Sequence, residues 1–217
     1  MMKKNTYPGK LIVAEGLDGS GKTTCFNLIK NWLEVKGYAA EVSKRKQSPL
    51  VAQTINQAKL DKTLIPITYS LIHAADFSDL MHRKIIPALN AGYIVLFNKY
   101  IYTSVAKDYL RGQDRDWVEK LYDFAIEPDL TFYFKIPLEM ALERMTQEEK
   151  EKDFYDSGMD IGFGPNNFMA LRNFQTKLLE QYELMARLHR FTVIDASRPI
   201  QQQLTKMKQE IEALLNG

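Results

Sequence analysis

The residues of this chain best suited to chemistry lie together in one short run at positions 16–23, with the sequence GLDGSGKT. The run fits the pattern G-x-x-x-x-G-K-[ST] in full, which typically wraps around the phosphates of a nucleoside triphosphate. Its glycines permit backbone torsions that turn amide N–H groups inward, toward an anion. Lys22 would reach the β- and γ-phosphates, and Thr23 would offer its hydroxyl to Mg²⁺. The alternative interpretation is a glycine-rich turn that carries an incidental lysine.

The elements around this run would hold it at a strand-to-helix corner. Residues 11–14 are continuously apolar and indicate a buried strand, and residues 22–36 carry apolar side chains at helical spacing before Gly37. The dipole and the free N–H groups at the start of that helix would strengthen anion binding. We therefore expect the phosphates of the triphosphate to be bound by Gly16, Asp18, Gly19, Ser20, Gly21, Lys22, Thr23 and Thr24.

The rest of the chain alternates short apolar runs with helical patterns. Strands are indicated at residues 38–43, 93–97, 130–134 and 191–194, and helices at residues 67–90, 117–126, 138–145 and from 199 onward. This alternation favours right-handed crossovers and a parallel sheet with helices on both faces. In such sheets ligands bind outside the carboxyl ends of the strands. Because the candidate residues follow strands, we expect them to meet at one edge of the sheet.

Composition limits the class of protein. The 217 residues fit a single domain, 1–217, and 45% apolar with 26% charged residues is typical of a globular protein. The net charge of +2 is too small to favour a nucleic-acid or membrane surface. The single cysteine, Cys25, excludes an internal disulfide, and the first apolar run is too short for a signal sequence or a membrane span. We therefore expect a cytoplasmic protein without a nucleic-acid partner.

One segment, residues 147–164, does not fit the pattern of a core element. It contains the charged run EEKEKD at residues 148–153 and then three glycines, Gly158, Gly162 and Gly164. Such a charged run is usually a solvated face. Its position between two helical patterns, with the glycines at its end, equally supports a mobile lid over a site.

The phosphate-binding run also extends into a more specific pattern. Residues 14–24, AEGLDGSGKTT, resemble the E-G-x-D-G-x-G-K-T-T form of the thymidylate kinase family. The likeness continues in order through residues 70–76, 98–100, 128–131 and 193–196, and it looks most like the archaeal-type branch. The resemblance implies a P-loop fold, a three-layer α/β sandwich with a five-stranded parallel sheet. It also implies a homodimeric kinase that uses ATP and Mg²⁺ to phosphorylate dTMP.

The same resemblance implies roles for individual residues. Asp18 would hold the 3′-hydroxyl of the acceptor, Arg45 would contact its base or phosphate, and Arg144 would lie against ATP. His73 would stack on the base, although a packed histidine in a helix is an equal alternative. The expected metal contacts are Thr23, Asn98 and Glu15, the last being equally suited to receive backbone hydrogen bonds. The expected acceptor contacts are Asp18, Arg45, His73, Asp76, Phe77, Lys99, Tyr100 and Ser104. The expected catalytic groups are Lys22, Asp18, Lys99, Arg144 and the lid residues Lys150 and Lys152.

Departures from the family pattern leave the acceptor open. The family's Asp-Arg-Tyr is Asn-Lys-Tyr at residues 98–100, so a carboxylate is lost and an ammonium group replaces a two-pronged guanidinium. Phe77 stands in place of an arginine, and Lys107-Asp108 replaces a Tyr-Gln pair beside the base. Each lost charge-assisted contact costs about ten- to a hundred-fold. Two alternatives therefore remain, a kinase for another nucleotide or nucleoside and a nucleotide-binding protein with weakened catalysis.

Overall fold

A central parallel sheet organises the protein in the computed structural model, which describes residues 2–147 and 154–216. Within those residues the sheet has five strands in the order β2-β3-β1-β4-β5, and all neighbouring pairs are parallel. The strands are β1 (Lys10–Glu15), β2 (Ala40–Lys44), β3 (Ile94–Asn98), β4 (Leu130–Lys135) and β5 (Thr192–Asp195). The five-stranded parallel sheet predicted from the sequence is confirmed.

Helices pack around this sheet. They are α1 (Lys22–Val35), α2 (Ala52–Leu60), α3 (Pro66–Leu80), α4 (Ile86–Asn90), α5 (Ile101–Leu110), α6 (Arg115–Leu121), α7 (Leu138–Gln147), α8 (Asn167–Leu188) and α9 (Ile200–Asn216). A π-helical turn, Met81–Ile85, joins α3 to α4, and a short 3₁₀ turn, Met159–Ile161, precedes α8. In the described parts of the chain, every helix is too short or too polar to cross a membrane.

Strand β1 lies at the centre of the sheet, as its continuous apolar run requires. The side chains of residues 11–14 have no exposed surface, because strands flank β1 on both edges and helices cover it. Ala14 pairs with Asn98 of β3 on one side and with Phe132 of β4 on the other. The carboxyl ends of β1 and β3 therefore lie side by side, and the loops that follow them are neighbours.

The long helical pattern at residues 67–90 forms α3, the π-helical turn and α4 in succession. At the end of the turn, the Ile86 N–H donates to the Met81 carbonyl, five residues back instead of four. The next residue, Pro87, has no N–H, and its ring would clash with the Arg83 carbonyl in a regular α-helix. We attribute the wider turn to this conflict, because it changes the hydrogen-bond register directly before the proline.

The helix predicted at residues 117–126 is shorter than expected, since α6 ends at Leu121. Beyond it the chain pairs with the N-terminal segment. The Lys3 N–H donates to the Ala125 carbonyl at 2.8 Å, and the Glu127 N–H donates to the Lys3 carbonyl at 2.6 Å. These contacts occupy backbone groups that a longer helix would have used.

The described part of the predicted lid, from residue 154 onward, is joined to α5. Arg111, the residue directly after α5, forms an ion pair with Asp160 at 2.7 Å, and it donates to the Tyr155 carbonyl at 2.6 Å. The Arg111 side chain has no exposed surface, so this attachment is well shielded from water. Lys150 and Lys152 lie outside the described residues. The lid and the single-domain organisation therefore stay predictions.

Candidate active site

The loop between β1 and α1 turns at three glycines. Gly16, Gly19 and Gly21 have φ values of 135°, 73° and 84°, in the region that favours glycine. A Cβ atom at Gly16 would lie 2.6 Å from the Phe134 carbonyl oxygen, and one at Gly19 would lie 2.8 Å from the Ala141 carbonyl oxygen. Glycine is therefore required at positions 16 and 19 for two reasons, the backbone torsions and the close packing against β4 and α7.

Lys22 begins α1 directly after this loop. The first N–H groups of a helix have no carbonyl partner within the helix, so they are available to an anion. The Lys22 side chain is 5% exposed and folds back over the loop, where Nζ donates to the Leu17 carbonyl at 2.6 Å and to the Ser20 hydroxyl at 2.8 Å. An ammonium group and free amides thus converge on the same small volume, as the phosphates of a nucleotide would require.

Thr23 and Asn98 meet where the ends of β1 and β3 lie side by side. Nδ2 of Asn98 donates to Oγ1 of Thr23 at 2.7 Å. Oδ1 of Asn98 is buried and has no hydrogen-bond partner among the described residues. Hydroxyl and amide oxygens are hard ligands that suit Mg²⁺, which usually keeps water and phosphate oxygens at its other positions. The described residues hold no cluster of three or more His, Cys, Asp or Glu suited to a metal.

A cavity of about 320 Å³, here called the acceptor cavity, opens beside the loop at the carboxyl edge of the sheet. Its volume is within the range of small-molecule sites. Its lining consists of Asp18, Lys44, Arg45, Lys46, Tyr69, His73, Asn98, Lys99, Thr103, Ser104, Lys107, Asp108 and Asp156. Five of the predicted acceptor contacts are therefore brought together here, namely Asp18, Arg45, His73, Lys99 and Ser104.

Asp18 and Lys99 form an ion pair at the end of the acceptor cavity nearest the loop. Lys99 has a φ of 62°, a left-handed conformation that costs a residue with a side chain about 1–2 kcal/mol. Its N–H donates to the Ala14 carbonyl at 2.9 Å, which helps to hold this conformation. The strained backbone and the ion pair together keep an ammonium group beside the phosphate-binding loop.

His73 and Arg45 form part of the cavity wall away from that ion pair. The His73 ring is 4% exposed and meets the Tyr69 ring edge-on, with 4.3 Å between centroids. Burial, with the nearby cations Arg45 and Lys46, holds the pKa of His73 well below its usual value, so the ring is neutral at pH 7. Arg45 donates to the His73 carbonyl at 3.4 Å. A flat neutral ring on a cavity wall suits stacking against a nucleobase.

Three lysines, of which Lys46 and Lys107 line the acceptor cavity, form a cluster that was not predicted from the sequence. Lys46, Lys59 and Lys107 all form ion pairs with Asp156, at 3.5, 2.9 and 2.7 Å. Burial opposes ionisation of Asp156, but these lysines hold its pKa well below the usual value. The four residues come from separate parts of the chain and fit no motif, so no sequence signal could have grouped them.

A second cavity of about 470 Å³, here called the donor cavity, lies on the other side of the same loop. It is lined by Ser20, Gly21, Thr24, Cys25, Arg144, Ser197, Arg198, Pro199, Ile200 and Gln203. Arg144 donates to the Gly19 carbonyl at 3.2 Å, which places this predicted residue against the loop. Arg198 and Gln203 were not predicted, although their position after β5 was an available signal.

Two roles were predicted for Glu15, contact with a metal and acceptance of backbone hydrogen bonds. The structure agrees with the second. Its carboxylate has no exposed surface, and it accepts hydrogen bonds from the Tyr100 N–H at 2.8 Å and the Thr103 hydroxyl at 2.6 Å. Burial raises the pKa of Glu15, while these two hydrogen bonds act against that shift. Glu15 therefore anchors the start of α5 and has no accessible oxygen with which to meet a metal.

Three residues predicted to contact the acceptor lie in the core instead, and Asp76, Phe77 and Tyr100 are all 0% exposed. The Phe77 ring packs against the Tyr100 ring at 5.0 Å between centroids, and the Tyr100 hydroxyl donates to the Ile126 carbonyl at 2.6 Å. Asp76 accepts from two backbone N–H groups of the loop after β2, one of them from Lys46 at 2.8 Å. These side chains support the acceptor cavity from behind, because their helix and loop turn them inward.

Comparison with known proteins agrees with this arrangement. Residues 14–207 match the model of the thymidylate kinase family. A probable thymidylate kinase 2 from Saccharolobus solfataricus is 39% identical over 196 residues, which cover 88% of this chain and 90% of that protein. A thymidylate kinase from Bacillus pumilus is 32% identical over 203 residues, which cover 89% of this chain and 90% of that protein. With the loop, the two flanking cavities and these relatives in agreement, the chain belongs to the thymidylate kinase family.

Proposed function

We propose that the protein is a Mg²⁺-dependent thymidylate kinase, which transfers the γ-phosphoryl group of ATP to dTMP and yields ADP and dTDP. The observation that carries the proposal is the pair of cavities on either side of one phosphate-binding loop. Asp18 lines the acceptor cavity, whereas Ser20 and Gly21 line the donor cavity. Transfer between two nucleotides needs two such cavities that meet at the phosphates. The names of the relatives support dTMP as the acceptor.

The chemistry requires positioning and charge neutralisation more than covalent help from the protein. An oxygen of the acceptor phosphate forms a bond to the γ-phosphorus as the bond to the β–γ bridging oxygen breaks. Lys22 and the first-turn amides of α1 would hold the β- and γ-phosphates, and Lys99 would hold the acceptor phosphate. Thr23 and Asn98 would supply oxygens to Mg²⁺, which when bound neutralises charge on the β- and γ-phosphates.

The remaining assignments follow the two cavities. On the acceptor side, Asp18 would hold the 3′-hydroxyl, and His73 would stack on the base with Arg45 beside it. On the donor side, Arg144 would lie against ATP. The proposal also includes a homodimer, a lid formed around residues 147–164, and a cytoplasmic location in keeping with a single cysteine.

An acceptor panel tests the reaction directly. The full chain with ATP and MgCl₂ would be offered dTMP, dUMP, dCMP, dGMP and thymidine, with ADP followed by a coupled assay and products separated by anion exchange. We expect dTDP as the main product, and we expect turnover to stop when EDTA removes Mg²⁺. Preference for thymidine or for dGMP, or no turnover with any acceptor, would overturn the proposal.

Replacement of Lys22 tests the role of the loop. Lys22→Ala removes the buried ammonium group, and the loss of its charge-assisted contacts to two phosphates should lower kcat/KM at least about 100-fold. Lys30→Ala is the matched control, because Lys30 lies on the same helix but pairs with Glu34 on the surface. Circular dichroism should show that both variants are folded. Equal activity of the two variants would remove Lys22 from the mechanism.

A further inference from the structure

Another cavity, here called the rear cavity, has no role in the proposed transfer. Its volume is about 340 Å³, within the range of small-molecule sites. It is lined by Met2, Ile101, Tyr102, Val105, Glu119, Glu127, Met185 and His189. None of these residues lines the acceptor cavity or the donor cavity, so a ligand held here would lie outside both nucleotide sites.

Helix α5 separates the rear cavity from the acceptor cavity. Residues 101, 102 and 105 of the helix line the rear cavity, whereas residues 103, 104, 107 and 108 line the acceptor cavity. At 3.6 residues per turn these two sets lie on different faces of the helix. A ligand in the rear cavity would therefore contact α5 from behind and would not compete with an acceptor nucleotide for space.

The inner wall of the rear cavity is apolar and aromatic. Val105 and Met185 are 2% and 1% exposed. The Tyr102 ring meets the Phe191 ring edge-on with 4.7 Å between centroids, and it lies 5.2 Å from the ring of His189. Such a wall favours the methylene groups of a ligand, and the face of an aromatic ring also attracts a cation.

Two carboxylates, Glu119 of α6 and Glu127 before β4, line the same cavity. Both residues are exposed, and neither side chain forms an ion pair or a hydrogen bond with the described part of the chain. Burial raises the pKa of Tyr102, and the negative charges of Glu15, Glu127 and Glu119 add to that shift, so both rim carboxylates act on this ring. Among the described residues, no lysine or arginine belongs to the lining.

We propose that the rear cavity binds an aliphatic diamine or polyamine. Its ammonium groups would lie at Glu119 and Glu127, and its methylene chain would pack against Tyr102, Val105 and Met185. Two separate negative charges beside an apolar wall are complementary to two cationic groups joined by a chain, whereas an inorganic ion would leave that wall uncovered. The inference goes beyond the proposed function, because such an amine is neither a substrate nor a product of the transfer.

Calorimetry with the wild-type full chain tests the class of ligand. Putrescine and spermidine would be titrated at pH 8 and low ionic strength without nucleotide, beside butylamine and 1,4-butanediol. We expect one putrescine per chain, butylamine to bind at least about threefold more weakly because it lacks one ion pair, and no binding of the uncharged diol. Absence of binding by both putrescine and spermidine, or binding of butanediol as tight as that of putrescine, would overturn the proposal.

The double variant Glu119→Gln with Glu127→Gln tests the position of the site. Putrescine should bind it at least about tenfold more weakly than wild type, since both ion pairs are lost. Glu180→Gln is the matched control, because Glu180 is an exposed carboxylate on α8 that pairs with Lys177 outside the cavity lining. Equal affinity of the double variant and the control would show that the two carboxylates do not bind the amine.

Tyr102→Leu tests the aromatic wall separately. Loss of the ring that attracts the cation should weaken putrescine binding about 3- to 30-fold. Because the two glutamates are exposed, their double replacement should keep the fold, so the proposal remains testable even if Tyr102→Leu does not fold. Circular dichroism would verify the fold of each variant.

A titration in saturating dTMP separates the rear cavity from the acceptor cavity. The affinity for putrescine should be unchanged, since the two ligands contact opposite sides of α5. Displacement of putrescine by dTMP would place the amine in the acceptor cavity and would contradict the proposal. The outcome is independent of the proposed function, because a protein that fails to phosphorylate dTMP could still bind the amine, and an active kinase could fail to bind it.

Discussion

At the scale of the residue, Asp108 of α5, which lines the acceptor cavity, shows how burial changes the ionisation of a carboxylate. Burial raises the pKa of Asp108 from 3.8 to about 6, although Arg45, Ser70, Arg111 and Lys107 act to lower it. The folded state therefore binds the proton more tightly than the unfolded state. The stability that Asp108 contributes in its protonated form is present below pH 3.8 and is lost as the pH rises through about 6. At neutral pH the charged form of Asp108 therefore lowers the stability of the folded protein.

Asp108→Asn should consequently stabilise the free protein at pH 7. Two pKa units correspond to about 3 kcal/mol, so the variant should gain at most about that much over wild type at pH 7 and nearly nothing at pH 4. Urea unfolding at pH 4, 5, 6 and 7 would measure the difference. The charged and titratable groups facing this carboxylate, none of which changes charge in that range, are Arg45, Lys107, Arg111 and Tyr122.

The control for this pH series is Asp79→Asn. Hydrogen bonds from Ser48, and then from Arg83, hold the pKa of Asp79 below its usual value. Its ionised form is therefore the stabilising one, so its replacement should reduce stability at pH 7 more than at pH 4. A pH-independent difference between Asp108→Asn and wild type would contradict the argument for Asp108.

Site residues that belong to a local sequence motif could be predicted from the sequence. Residues whose burial depends on tertiary packing could not. Lys22 and Thr23 belong to a local pattern whose spacing alone positions them beside an anion. Phe77 and Tyr100 were expected at the acceptor, but both are fully buried because their rings pack against each other across separate elements. No local pattern carries that information. Asp108 was recognised only as a departure from the family, since its burial depends on the packing of α5 in the folded protein.

At the scale of the secondary-structure element, the packing of the loop between β1 and α1 determines the geometry of the site. At Gly16 an added Cβ would lie 2.6 Å from a backbone oxygen of β4, which cannot move aside without disturbing the sheet. Gly92 also has a positive φ, 82° against 135° at Gly16, but an added Cβ would meet nothing within 4 Å. Gly92 therefore shows the cost of a positive φ without a clash, whereas Gly16 combines a positive φ with a clash.

Gly16→Ala should lower stability more than Gly92→Ala. Both changes put a side chain at a positive φ, which costs about 1–2 kcal/mol in the left-handed region where Gly92 lies, and only the first adds a backbone collision. Because the displaced loop also holds the phosphates, ATP binding measured by calorimetry should weaken at least about tenfold in Gly16→Ala and remain unchanged in Gly92→Ala. Equal melting temperatures and equal affinities in the two variants would show that the loop tolerates a side chain.

Secondary-structure elements could be predicted from the sequence where a local pattern of residues determines them. The strand patterns agree closely with the structure because a continuous apolar run needs only a sheet covered on both faces. The π-helical turn before Pro87 and the early end of α6 were not predicted, since the second depends on pairing with Lys3, more than a hundred residues away in sequence. Helices α2, α5 and α8 were not predicted either. The β-branched residues of α5 disfavour a helix locally, and the buried Glu15 carboxylate at its first turn is a tertiary contact.

At the scale of the whole molecule, exposed apolar side chains concentrate in the segment that contains α2 and α3. Leu60 is 76% exposed, Ile65 60%, Ile67 46% and Leu71 48%. Ile67 and Leu71 are four residues apart on α3, so they share one face of that helix. The same helix contributes Tyr69 and His73 to the acceptor cavity. An exposed apolar patch of this kind suits burial against a second copy of the chain related by a two-fold axis.

The double variant Ile67→Glu with Leu71→Glu tests that interface. Two carboxylates buried without partners across a two-fold axis would cost at least about 3 kcal/mol, which weakens association more than 100-fold. We expect sedimentation velocity to find a dimer for wild type and a monomer for the double variant at the same micromolar concentration. Val35→Glu is the control, because Val35 on α1 is 88% exposed and lies outside the patch, so this variant should remain dimeric. A wild-type monomer, or a double variant that stays dimeric, would mean that the patch on α3 is not where two copies meet.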